Sequence, residues 1–338
     1  MPLPRRRLGP FAVSALGLGC MNLSHAYGEP PPAAAAEALL RRALDLGVTL
    51  FDTAALYGFG ANESMVGRVL KPYRARITLA SKCGMTGVDG KRVIDGRPAT
   101  LRRTCEEALQ RLQTEVIDLY YLHRLDPQVP VEDSVGALGE LVSSGKIRAI
   151  GLSEVSAATL RRAHAVQPIT AVQNEYSLWT REPEIALLAE CRRLGVAFVA
   201  FSPLARGFLT GKLSEPNFVA KDIRLAMPRF QPACFGRNLG LLPPYRALAR
   251  EAGCTPSQLA LAWLLAKGDD IIPIPGTTRI EHLEEDLAAA AVRLDDGLIR
   301  RIDALINERT VAGDRYNAAS RPEIDTERFP DREPGQEA

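Results

Sequence analysis

The chain has 338 residues, 46% hydrophobic and 24% charged, with 42 Lys plus Arg against 40 Asp plus Glu. A formal charge of +2 gives no broad field for a nucleic-acid backbone or an anionic membrane, so the expected partner is a small molecule. The length suits one large α/β barrel, which commonly runs to roughly 250 residues or more as a single unit, and the composition allows an ordinary buried core.

The cluster Arg5, Arg6 and Arg7 is too short for a nucleic-acid tract and reads as a solvated terminus. The following FAVSALGLGC resembles an export signal ending at a lipidated Cys20, but it is near the short end for such a region and rich in glycine. No run approaches the roughly 18 apolar residues of a membrane helix. Cys20, Cys83, Cys105, Cys191, Cys234 and Cys254 form no CxxC pair, which suits reduced thiols and a cytosolic protein better than a disulfide framework or a metal site.

RRRLGPFAVSAL predicts a short hairpin capping the barrel floor. From about residue 15 to residue 292, short apolar runs alternate with amphipathic helical patterns, eight times over. The strand candidates are ALGLGC, TLFDTA, ITLASK, IDLYYLH, IRAIGLSE, AVQNEYS, AFVAFSPL and IIPIPG. Several are apolar on both faces, as strands of a buried parallel sheet must be. In ATLRRTCEEALQRLQ, Leu101, Cys105, Ala108, Leu109 and Leu112 fall on one helical stripe.

Eight such units predict a (β/α)8 TIM barrel. A doubly wound dinucleotide fold is disfavoured because GLG at Gly17 to Gly19 lacks both the third glycine and a following helix. Residues 205–243 form a long loop after the seventh strand, either a substrate lid or a mobile insertion. We take 1–310 as one barrel domain and 311–338 as a polar C-terminal tail.

Barrel active sites gather where strands end and helices begin. Asp52 ends TLFDTA, Tyr57 follows five residues later, Lys82 ends ITLASK and His123 ends IDLYYLH. Singly, these residues have ordinary readings as a helix cap, a packing residue, a surface cation and a core histidine. All four on one barrel rim are harder to dismiss than any one of them alone.

DTAALYG, SKCG, YYLHR and GLSE occur in the order and spacing of the aldo-keto reductases. The chain is similar to that superfamily over nearly its whole length. MNLSHAYG, GLSEVSAATLRRAH and SPLARGF resemble the subgroup of plant perakine reductase and auxin-induced aldo-keto reductase-like proteins. The resemblance implies NADP(H)-dependent reduction of an aldehyde or ketone to an alcohol, with Asp52, Tyr57, Lys82 and His123 as the catalytic tetrad. In that chemistry hydride delivery builds charge on the carbonyl oxygen, which Tyr57 would meet with a proton. Lys82 would favour the phenolate and lower the tyrosine pKa, and Asp52 would keep the lysine charged. His123 would orient the carbonyl.

For the cofactor, the resemblance implies contacts from Gly19 and Met21, with Ser153 and Gln173 on the nicotinamide carboxamide and Phe201 stacking on the ring. Glu154 stands where many relatives have asparagine, and a carboxylate cannot donate to the carboxamide carbonyl. Ser202, Leu204, Arg206, Gly207 and Lys212 would cover the pyrophosphate. Gly276, Thr277, Thr278 and Arg279, at a helix start, would take the 2′-phosphate, with Glu285 and Asp286 facing the adenine. His282 replaces a frequent arginine there. The substrate pocket is expected to include Met21, Tyr57, Tyr176 and Trp179.

Two other readings stay open at this stage. One is a barrel lyase with Lys82 as Schiff-base nucleophile. The other is a slow-turnover redox sensor that acts through a protein partner, like the cofactor-binding channel β subunits.

Overall fold

The computed structural model describes residues 3–330 other than His25 and Asp89. Eight parallel strands follow one another around a single sheet in chain order: β1 (Leu18–Gly19), β2 (Leu50–Asp52), β3 (Thr78–Cys83), β4 (Ile117–Leu122), β5 (Ile147–Ser153), β6 (Ile169–Glu175), β7 (Ala197–Phe201) and β8 (Ile271–Pro273). The sheet closes on itself, because the amides of Gly17 and Gly19 donate to the carbonyls of Pro273 and Pro275 at 3.0 and 3.1 Å. That seam joins the first and last strands of the eight-stranded sheet. Gly19 is needed there, since a β-carbon would lie 2.9 Å from the Ile274 carbonyl oxygen.

Every residue of β3 and β4 is buried, for alternate side chains face two different cores. Leu119 and Tyr121 point into the barrel interior, whereas Tyr120 and Leu122 pack outward against helices. Small residues make room for Tyr121: Ala80, Ala149 and Ala171 share its interior cluster, and a β-carbon on Gly151 would sit 2.2 Å from its ring.

The helices of the outer layer include α1 (Ala33–Asp45), α2 (Ala61–Leu70), α3 (Pro98–Leu112), α4 (Val131–Ser143) and α5 (Ala157–Val166). On α3, Leu101, Cys105, Ala108 and Leu112 of the expected stripe are fully buried and Leu109 partly so. No helix among the described residues is long and apolar enough to cross a membrane.

The predicted floor hairpin pairs Arg5–Leu8 with Phe11–Ser14, and Leu8 and Val13 plug the barrel interior. Arg6 is not the solvated residue expected from its sequence. Its guanidinium donates to the carbonyls of Leu265, Gly268 and Ile271, tying the hairpin to the last strand. A second hairpin, Met85–Val88 with Lys91–Ile94, follows β3 on the opposite rim.

Residues 205–243 are not structureless. They carry helical turns and a short helix (Pro232–Leu239), and Phe208 stacks on Trp179 at 4.4 Å, with Phe230 and Phe235 packed alongside. The polar tail also folds onto the rim as far as residue 330. Its Asp325 amide donates to the Glu154 carbonyl at 3.0 Å, and the Asp325 and Glu327 carboxylates accept from the amides of Ser156 and Ala157 at the start of α5. Residues 331–338 of the tail lie outside the described residues.

Candidate active site

Asp52 and Lys82 lie on adjacent strands, at the carboxyl end of β2 and near the end of β3, and His123 follows β4 directly. After β2 the chain turns sharply, with Gly58 and Phe59 left-handed, and that turn brings Tyr57 back over the strand ends. Lys82, only 1% exposed, makes an ion pair with the Asp52 carboxylate. It also donates to the Thr53 carbonyl at 2.9 Å and to the Tyr57 hydroxyl oxygen at 3.1 Å. These partners use all three ammonium donors. Since the Tyr57 oxygen accepts from Lys82, its own proton is free to point elsewhere. The second Asp52 oxygen accepts from Gln173 Nε2 at 2.7 Å. The His123 ring meets Tyr57 edge-on, with centroids 5.9 Å apart.

The electrostatics differ in sign from the sequence expectation. Burial pushes the Tyr57 phenol above its ordinary value, and the opposing pull of Lys82 offsets only part of that rise. Lys82 feels the same burial, which favours its neutral form. Asp52 and Tyr57 more than compensate, and the ammonium is held above its ordinary value.

A cavity of about 610 Å³ opens over this cluster, and Asp52, Tyr57 and His123 line it. Lys82 lies beneath, reaching the cavity through Tyr57. Gly19, Met21, Ser153, Gln173 and Phe201 line the same end. Ser202, Leu204, Arg206, Gly207 and Lys212 line the wall that follows β7. Gly276, Thr277 and Thr278 precede the helix Ile280–Ala288 and line the far end, with His282, Glu285 and Asp286.

Three of these residues behave differently from expectation. Arg206 is buried and ion-paired with Glu175 at 2.7 Å, and it donates to the Tyr316 hydroxyl at 3.1 Å, so its charge is matched within the protein. Arg279 does not line the cavity; it is exposed on the rim, 3.4 Å from Glu281. Asp286 is 3% exposed, and burial, reinforced by Glu285, pushes its carboxyl up to about 8. Lys212, mostly exposed, lies 3.7 Å from Glu285 and 3.4 Å from His282.

Tyr176 and Trp179 are not part of the cavity wall. Tyr176 is fully buried, donating to Glu184 at 2.5 Å and packing on Phe198 and Trp263, while Trp179 stacks in the aromatic cluster of Phe208. Both leave β6 on its outward, helix-facing side. Glu154, left-handed at φ 57°, turns away from the cavity to an ion pair with Arg315.

Sequence reasoning missed Asn22, Arg124, Tyr316, Asn317, Ser320 and Ile324, all on the cavity wall. Arg124 was adjacent to a residue already singled out. The four tail residues carried no signal, because their approach depends on Arg315 reaching Glu154 and Glu175 across the fold.

A family model described as "Aldo/keto reductase family" matches residues 15–307. A probable aldo-keto reductase 1 from Glycine max is 45% identical over 310 residues, 90% of this chain and 89% of that protein. Among solved structures, a glycerol dehydrogenase from Gluconobacter oxydans superposes with a TM-score of 0.82 at 29% identity, over 90% of this chain and 95% of that one. An aldo-keto reductase from Klebsiella pneumoniae in complex with NADPH gives 0.72 at 27% identity, over 93% and 99%. With a barrel closed strand by strand, a Tyr57–Lys82–Asp52 chain at its carboxyl rim and a family match across most of its length, the chain belongs to the aldo-keto reductase family.

Proposed function

We propose that the protein reduces aldehydes or ketones to alcohols with NADPH, an activity of the class that acts on CH–OH groups, with Asp52, Tyr57, Lys82 and His123 as its catalytic residues. The observation that carries this reading is the Lys82 ammonium, buried and saturated by Asp52, Thr53 and Tyr57. Such a lysine is held charged, which suits tuning a proton donor and opposes the neutral amine a Schiff-base lyase requires. Neither the fold nor the comparisons support the sensor alternative.

The cavity fits a dinucleotide. One end offers the Ser153 hydroxyl, the Gln173 amide and the Phe201 face; the other offers a helix start with Thr277, Thr278 and the nearby Lys212. NADPH, when bound, supplies the hydride. The protein's own part is proton transfer and orientation. Lys82 fixes the Tyr57 oxygen by donating to it, so the phenolic proton is directed to a carbonyl oxygen in the cavity. His123 holds that oxygen from the side, and Asp52, braced by Gln173, keeps Lys82 charged as the proton leaves.

In the same proposal, residues 1–310 act as one unit, with the tail as part of its cavity wall, and the six unpaired thiols favour the cytosol. Tyr57→Phe is the test. It should lower kcat by about 10²- to 10⁴-fold and leave NADPH affinity nearly unchanged. Retention of more than roughly a tenth of kcat would remove Tyr57 from the proton-donor role.

A further inference from the structure

One charged residue at the reacting end of the cavity has no part in the proton chemistry above. Arg124 follows His123, is half-buried and lines the cavity. Its Nη1 donates to the His123 carbonyl at 2.6 Å and to the Ser153 hydroxyl at 3.2 Å. The guanidinium is thus tied between the ends of β4 and β5, beside the site where hydride and proton must meet.

Its charge sets it apart from the other cations of the wall. Arg206 faces Glu175 at 2.7 Å, Arg224 faces Asp222 at 2.7 Å, Lys212 faces Glu285 at 3.7 Å, and Arg92 pairs with Glu323. Arg124 has no carboxylate partner among the described residues. It retains donors beyond the two hydrogen bonds described, in a planar fork that matches a carboxylate. A half-buried guanidinium is better compensated by an anion than by neutral acceptors alone. Its field also reaches the reacting group, since it opposes the burial that pushes the Tyr57 phenol upward. Across from these polar groups, Met21, Leu56 and Met85 pack with Tyr57 into an apolar wall.

We propose that Arg124 is a specificity-determining residue that receives a carboxylate of the substrate, so that the preferred substrates are compact oxo acids and aldehyde acids, with the charge a few bonds from the carbonyl. The inference rests on the carbonyl-reduction reading, and the experiment separates the two. With NADPH at neutral pH, kcat/KM is measured for two matched pairs: succinic semialdehyde against butanal, and carboxybenzaldehyde against benzaldehyde.

The neutral members test reduction itself, and the ratio within each pair tests Arg124. Wild type should favour the carboxylates by roughly ten- to a hundredfold, the size of one charge-assisted contact. Arg124→Met should abolish that preference chiefly through KM, while Arg124→Lys, which keeps the charge and loses the fork, should restore part of it. Equal kcat/KM within the wild-type pairs would overturn the inference and leave carbonyl reduction standing. A preference that survives in Arg124→Met would overturn it as well, reducing Arg124 to a tie between strand ends. Turnover of none of the four compounds would overturn both.

Discussion

Replacing Lys82 with methionine removes one charge from a site where water cannot compensate, since Lys82 is 1% exposed and Asp52 3%. The Asp52 carboxylate then keeps the Gln173 amide but loses its cation. Breaking a buried pair in this way costs about 3–5 kcal/mol. A urea titration should show that loss, and adding Asp52→Asn should recover most of it by removing the stranded charge. Activity should not return in the double variant, because neither substitution restores a donor to the Tyr57 oxygen. The pH dependence supplies a second readout. Burial already raises the Tyr57 pKa, and Lys82 pulls it down more strongly than any other neighbour. Without Lys82 the phenol stays protonated to higher pH, and the descending limb of the residual reduction rate moves to the alkaline side. Each unit of that movement corresponds to about 1.4 kcal/mol of lost interaction. An unmoved limb, or a single variant as stable as wild type, would refute the coupling.

Asp286→Asn should stabilise the protein at alkaline pH and hardly at all near pH 4. The native carboxyl titrates at about 8 against an ordinary 3.8, so the unfolded chain gives up its proton first and native stability falls across that interval. Chemical denaturation at pH 4, 6 and 8 checks this, and a gain independent of pH would contradict it. Arg315→Met strands the buried Glu154 carboxylate, while Glu175 keeps its ion pair with Arg206. It should cost about 3–5 kcal/mol and make residues 311–330 the first site of limited proteolysis; an unchanged cleavage pattern would show that the tail is held without this cation. Arg279→Ala should weaken NADPH binding by about tenfold and leave NADH unchanged, because the exposed pair with Glu281 is weak and leaves the guanidinium available to a phosphate. Fluorescence titration of both cofactors decides this, and equal losses would remove Arg279 from the site.

The barrel was legible because its strands are buried on both faces, which writes continuous apolar runs such as IDLYYL and AFVAF into the chain. Asp52, Lys82 and His123 stood out for a related reason, since a polar residue at the end of an apolar strand contrasts with its neighbours, and Tyr57 was found only through its motif. Tyr176 and Trp179 show where that logic stops. An aromatic residue just past a strand end can turn toward the cavity or toward the helices, and here the partners Glu184 and Phe208 decided it. The hairpin after β3 was readable but not read, since Asp89–Gly90 between short β-prone runs is a hairpin-turn dipeptide. The folded tail was not readable. Arg315 is one arginine among many until Glu154 and Glu175, some 140 to 160 positions away, are placed beside it.

The seam between β1 and β8 and the tail that crosses the rim have a consequence for synthesis on the ribosome. The first strand finds its second neighbour only when Pro273 and Pro275 have emerged, and the cavity acquires its Tyr316, Asn317 and Ile324 wall later still. A nascent chain can therefore stack strands and helices in order as they appear, but it has no closed interior and no complete site until the segment through residue 324 is free. Ligand binding should begin abruptly, once residue 324 is free of the ribosome, rather than growing with the length of emerged chain.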